Sequence, residues 1–231
     1  MIFFSKGIIN FELNQIDAVS YLKSLQNDSI DLMITDPAYE SLEKHRKVGT
    51  TTRLKVSKSS NNQWFEIFPN SRFEELFAEI FRVLKKNSHF YLFCDQETAF
   101  LVKPLAEKVG FKFWKPLIWD KQRIGMGYHY RARYEFILFF EKGKRKLNDL
   151  SIPDVLSCPR ILKGYPTEKP VSLMEILIKQ SSITSDIVCD PFMGACPVGE
   201  AALKNGRFFL GNDLSSDAYD LALARLNPFK L

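Results

Sequence analysis

Three short segments hold residues whose types and spacing could do chemistry. Thr35-Asp36-Pro37-Ala38-Tyr39 sets an acid, a rigid proline and an aromatic ring close together, directly after the apolar run at residues 30–34. A carboxylate there can accept a hydrogen bond from an amine and stabilise positive charge developing on it, and the ring can stack on a planar substrate. Taken alone, the segment reads equally as a turn that stops a strand and leaves its acid in solvent. Cys189-Asp190-Pro191-Phe192-Met193-Gly194-Ala195-Cys196 also lies between a strand-like run and a helix-like one. A turn of small residues in that place lets a ligand approach the backbone, with a helix amino terminus behind it. Its single glycine separates it from the G-x-G-x-x-G dinucleotide fingerprint. Gly211-Asn212-Asp213 follows the next strand, about 20 residues further on, where an acid can bind a ribose diol.

These segments need strands and helices to position them, and the hydrophobic pattern supplies both in alternation. It predicts strands at 8–13, 30–34, 88–94, 112–119, 134–140, 186–189 and 208–211. Helices are expected at 18–25, 73–84, 97–109, 171–182, 198–205 and 216–226, the second having the clearest apolar stripe. Such alternation implies an α/β fold with a largely parallel sheet covered on both faces, whose ligands bind beyond the carboxyl ends of the strands. Two stretches break the rhythm. Residues 41–63 are polar and carry Lys44, Arg46, Lys47, Arg53, Lys55 and Lys58 against one acid, Glu43; residues 121–133 mix Arg123, Arg131 and Arg133 with Tyr128, His129 and Tyr130. A third basic cluster, at 142–146, reads as a solvated turn.

Composition bounds the answer. At 231 residues, 45% hydrophobic and 26% charged, one globular domain spanning 1–231 is expected, and disorder and disulfide-stapled miniature folds are excluded. No apolar stretch approaches the roughly 20 residues of a membrane helix, and the opening Met-Ile-Phe-Phe is too short for a signal-peptide core. Cys94, Cys158, Cys189 and Cys196 form no C-x-x-C pair, and His45, His89 and His129 are dispersed, so no metal site is expected and a reducing cytoplasm fits. A net charge of +5 permits a polyanionic partner without requiring one. Asp95, after the strand at 88–94, is a candidate for the border of the site.

The order of these motifs resembles the β class of amino-methylating DNA methyltransferases, which modify adenine N6 or cytosine N4 using S-adenosylmethionine. Asp36-Pro37-Ala38-Tyr39 is similar to their D/N/S-P-P-Y/F tetrad, Asp190-Pro191-Phe192-Met193-Gly194 to the start of their cofactor loop, and Tyr165-Pro166-Thr167-Glu168-Lys169-Pro170 to their P-T-x-K-P segment. The resemblance covers nearly the whole chain. It implies a Rossmann-like methyltransferase fold with a seven-stranded sheet and circularly permuted motif order. Asp36 and the Pro37 carbonyl would then hold the target amine, and Tyr39 would stack on a base flipped out of DNA. The cofactor would be held by Asp17, Ala18, Asp36, Thr167, Lys169, Pro170, Asp190, Phe192, Gly194, Cys196, Asp213 and Leu214. Ala38 departs from the family's second proline, and Cys196 puts a side chain where glycine usually lets the cofactor approach.

The resemblance turns the irregular stretches at about 41–63 and 121–133 into DNA-contacting insertions, because only residues 141–164 remain for a separate recognition region. So small a surface makes a homodimer attractive. The leading Asp36 tilts the target towards adenine N6, with cytosine N4 as the alternative. A degenerate methyltransferase that binds DNA without catalysis is the reading of a different class. A cytoplasmic setting, in a bacterium or a phage-infected cell, and a restriction-modification role follow from the same resemblance.

Overall fold

The computed structural model describes residues 10–41, 66–125, 129–162, 165 and 167–230. Its eight strands are β1 (Phe11–Asn14), β2 (Ile30–Thr35), β3 (Leu84–Cys94), β4 (Lys112–Asp120), β5 (Tyr134–Lys142), β6 (Val155–Ser157), β7 (Ile187–Asp190) and β8 (Phe208–Asn212). They form one sheet in the order β1-β8-β7-β2-β3-β5-β4-β6. Every pairing is parallel except the two made by β5, which runs antiparallel between β3 and β4. The sheet therefore has one strand more than expected. The addition is β6, three residues in parallel register with Ile118–Asp120 of β4, too short to leave a period-2 signature.

Among the described residues six helices cover the sheet: α1 (Ala18–Ser24), α2 (Phe73–Val83), α3 (Gln96–Val109), α4 (Val171–Ser181), α5 (Pro197–Lys204) and α6 (Ser216–Leu226). Side chains alternate across each strand, so consecutive residues feed opposite cores. Leu32 and Ile34, Tyr91 and Phe93, Ile137 and Phe139 face one layer with α4, α5 and α6. Met33, Phe90 and Leu92, Leu138 and Phe140 face the other, with α1, α2 and α3. Phe73, Leu76, Phe77, Ile80 and Val83 are fully buried, which accounts for the strong apolar stripe of α2.

The topology puts the site at a switch point. Neighbouring β2 and β7 lie far apart in the chain, and from them it departs in opposite directions along the sheet. β2 ends at Thr35 and β7 at Asp190, so the acid–proline–aromatic segment and the small-residue turn emerge side by side. No helix among the described residues is long and apolar enough to cross a membrane, and none of their His, Cys, Asp and Glu side chains cluster as a metal site.

Candidate active site

A cavity of about 560 Å³ opens beyond the carboxyl ends of these strands, and residues 36–39 share its wall with Asp17, Ala18, Thr167, Lys169, Asp190, Phe192, Gly194, Asp213 and Leu214. Its size suits a cofactor-scale ligand. Local chemistry shapes the acid turn. Pro37 stops β2, the Ala38 carbonyl accepts a 2.7 Å hydrogen bond from the Phe68 N–H, and Tyr39 forms a bridge with Phe68. That backbone bond supplies constraint where the family's second proline is missing. Asp36 Oδ2 accepts from the Lys169 ammonium. Among the described residues, neither Asp36 Oδ1 nor the Pro37 carbonyl has a hydrogen-bond partner. Two acceptors, one carboxylate and one carbonyl, are thus available to the two hydrogens of an exocyclic amine.

The opposite wall is the turn after β7. Asp190 is 3% exposed and accepts on Oδ1 from the Thr35 hydroxyl at 2.8 Å and from the Phe192 N–H at 3.0 Å. Burial outweighs both bonds and pushes its carboxyl up to about 7. Gly194 has φ 49, the left-handed region that glycine enters freely, and its N–H donates to Asp213 Oδ2 at 2.9 Å. Asp213 also accepts from the Ser215 N–H at 2.9 Å, and burial raises its pKa. Gly211 leaves space beneath this turn, since a Cβ there would sit 2.7 Å from Met193 Sδ and 2.6 Å from the Phe209 ring.

The amino-terminal side adds a third wall. Asp17 caps α1 through the Ser20 N–H, and Arg72 grips both its oxygens at 2.7 and 3.0 Å, holding the carboxyl well below the usual carboxylate range. The Arg72 guanidinium lies 5.4 Å from the Phe68 ring, which packs edge-on against Phe192. Asn212, fully buried, joins the walls: its amide donates to the carbonyls of Ile16 and Pro191 at 2.9 and 3.2 Å. Thr167 turns into the cavity at φ 60, a strained conformation for a β-branched residue.

Two expected cofactor contacts are placed elsewhere. Cys196 is fully buried in the core and does not line the cavity. Its left-handed backbone, φ 64 and ψ 43, turns the thiol under α5, where a Cβ on Gly199 would meet its sulfur at 2.5 Å. Pro170 is also absent from the cavity wall; it is the N-cap of α4. Of the expected DNA-contacting residues, Lys44, Arg46, Lys47, Arg53, Lys55 and Lys58 lie outside the described residues. Arg123, Arg131 and Arg133 are exposed, and Arg133 is tied to Asp120 at 2.6 and 2.8 Å. Asp95 is held by capping α3 through Thr98 and by accepting from Ser41. Arg72 and Glu135 line the cavity without having been singled out from the sequence, and Asn212 does so as the middle of Gly211-Asn212-Asp213, where sequence reasoning assigns it no role of its own. Arg72 and Glu135 belong to no local motif, and only the fold brings them in.

S-adenosylmethionine fits this donor set: a wall of carboxylates, a glycine turn open to close approach, and aromatic surface from Phe68 and Phe192. The comparisons agree. Residues 30–224 match the N6/N4 methyltransferase family, described as DNA methylase. A type II methyltransferase, M.HpaI of Haemophilus parainfluenzae, is 27% identical over 91% of this chain and 72% of its own length. The DNA adenine methyltransferase YhdJ of Escherichia coli K12 is 26% identical over 91% of this chain and 81% of its own. The solved structure of M1.HpyAVI in complex with SAM superposes with a TM-score of 0.69 at 26% identity, covering 94% of this chain and all of that one. On this evidence the chain belongs to the N6/N4 family of S-adenosylmethionine-dependent DNA methyltransferases.

Proposed function

We propose that this DNA methyltransferase acts on the exocyclic N6 amine of adenine. The observation that carries the reading is a pair of acceptors with no partner among the described residues, Asp36 Oδ1 and the Pro37 carbonyl, on residues that line the same cavity as the Asp190–Gly194 turn. Asp36 and Pro37 draw the amine hydrogens aside, orient the nitrogen lone pair and stabilise the positive charge that grows on it. Tyr39 lends the flipped base a ring face. Asp190, Phe192, Gly194 and Asp213 hold the cofactor, with Thr167 and Leu214 at its edge; when bound, it supplies an electrophilic methyl group. Displacement is direct, with no covalent enzyme intermediate. The acid that opens the tetrad, and the adenine specificity named for the relative YhdJ, support adenine over cytosine.

Residues 1–231 work in this reading as one catalytic domain. DNA is gripped by the exposed arginines of 121–133 and by the basic residues of 41–63. Two copies acting together would enlarge so small a recognition surface. The test is transfer of labelled methyl from S-adenosylmethionine to unmethylated genomic DNA, with mass spectrometry of the product nucleosides and Asp36→Ala alongside. N6-methyladenine that disappears with Asp36→Ala is the expected result. N4-methylcytosine would overturn the adenine assignment. No product, with cofactor and DNA both bound, would mark a binding protein that has lost catalysis.

A further inference from the structure

Asp36 does not face the cavity alone. Lys169 is 6% exposed, and its ammonium bonds Asp36 Oδ2 and lies 3.3 Å from Glu135 Oε2. Glu135 in turn meets Lys121 at 2.5 Å, so four charges alternate in sign from the cavity wall to the start of the 121–133 segment. Two rings close over Lys169: Phe93, its centroid 5.5 Å from the ammonium, and Trp119 at 6.0 Å. Trp119 is pinned by its own 2.8 Å bond to the Cys158 carbonyl. A buried ammonium between two carboxylates is engaged on both sides and is poorly placed to serve as a cofactor ligand.

We propose that Lys169 is the positioning residue of the reaction: it anchors Asp36 Oδ2 so that Oδ1 meets the target amine, while Glu135 pulls on the same ammonium from the far side. This rests on the methyl-transfer reading of Asp36. The arrangement eases a conflict without removing it, since the Asp36 pKa stays above its ordinary value. A carboxylate that must stabilise developing positive charge has to be anionic, yet burial and the neighbouring Glu135 both raise its pKa; Lys169 opposes them. Glu135 has the complementary task of moderating Lys169, so that Asp36 stays basic enough to attract the amine. Lys121 beyond β4, Asp190 at the end of β7, and Tyr39 and Cys94, whose pKa values burial raises, complete the ionisable surroundings.

Opposite signs separate this role from mere support of the fold. Removing the cation in Lys169→Met raises the Asp36 pKa, so the acidic limb of single-turnover methyl transfer moves to higher pH. Removing the anion in Glu135→Gln moves that limb to lower pH. Lys169→Met should also slow transfer on the order of 10²-fold with cofactor affinity little changed, and Lys169→Arg should recover part of the loss. Limbs that coincide with wild type, or that move together, overturn the proposal. Wild-type enzyme that transfers no methyl overturns the methyl-transfer reading instead. The positioning claim is then decided by carbon-13 titration of the Asp36 carboxyl, assigned with Asp36→Asn. Opposite movements in the two variants support it, and none sinks it. Should Lys169→Met not fold, the Glu135→Gln titration decides: a move of the Asp36 carboxyl to lower pH supports the claim, and no move or a move to higher pH sinks it.

Discussion

The Thr35 hydroxyl donates to Asp190 Oδ1 at 2.8 Å, bridging the last residues of two neighbouring strands. Thr35 immediately precedes the acid proposed to hold the amine, and Asp190 opens the turn proposed to hold the cofactor. One side chain thus sets the spacing between the two halves of the chemistry. The bond is buried, so water cannot replace it.

Thr35→Val keeps the shape and removes the donor. Its expected cost is about 1–3 kcal/mol in unfolding free energy, the penalty of a buried acceptor losing a partner, together with weaker cofactor binding. Urea denaturation and titration calorimetry measure the two effects. Unchanged values in both would show that the bond does not hold the halves together.

Asp190 makes stability depend on pH. Its carboxyl is pushed up to about 7 from an ordinary value of 3.8, so between those limits the folded state binds the proton that the unfolded chain has already released. Its contribution to stability is therefore fully present below about pH 4 and is lost as pH rises through about 7. Asp190→Asn removes this titration. The stability of wild type relative to that variant, measured by urea unfolding without cofactor, should fall from pH 4 to 7 and level off above. A flat or rising difference would contradict the burial argument.

Gly211→Ala should disturb cofactor binding and folding together. The added methyl meets the Phe209 ring at 2.6 Å, Met193 Sδ at 2.7 Å and Leu13 Cδ2 at 3.0 Å, contacts that require the buried strand to shift. Overpacking of this kind costs roughly 1–3 kcal/mol. A thermal melt and a cofactor titration check it, and a variant as stable as wild type would mean that the turn yields easily.

Salt dependence distinguishes the arginines. Arg133 already spends its charge on Asp120, whereas Arg123 and Arg131 are exposed with no ion-pair partner among the described residues. If all three lie near phosphate, Arg123→Ala and Arg131→Ala should each reduce the slope of log affinity against log salt by about one, and Arg133→Ala by less. Equal slopes in all variants would take the DNA path away from this segment.

What was legible in the sequence was local. Asp36-Pro37-Ala38-Tyr39 and the Asp190–Gly194 turn announce themselves because their chemistry and their strand-ending geometry lie within a few consecutive residues. Helix α6 has the expected bounds, its Ser215 cap and apolar spacing both being local. Asn212, Arg72 and Glu135 acquire their roles through partners far along the chain, which spacing cannot disclose. Cys196 shows a subtler limit. Its place in the loop is readable, but the handedness of its backbone decides whether the thiol meets a ligand or the core. Lys169 is the converse, readable as part of the P-T-x-K-P segment yet bonded to Asp36.

The pairing of Phe11 with Phe209 has a consequence for synthesis. β1 finds its neighbour in β8, and the described helices that cover one whole face of the sheet all follow residue 170. A polypeptide leaving the ribosome amino terminus first can assemble β2, β3 and the α1–α3 layer early. It must hold Leu32, Tyr91 and Ile137 bare until α4, α5 and α6 emerge. β7 and β8 must then enter between β2 and β1. Such a nascent chain carries an uncovered apolar sheet for most of its translation, which makes it a client for chaperones that bind exposed strands.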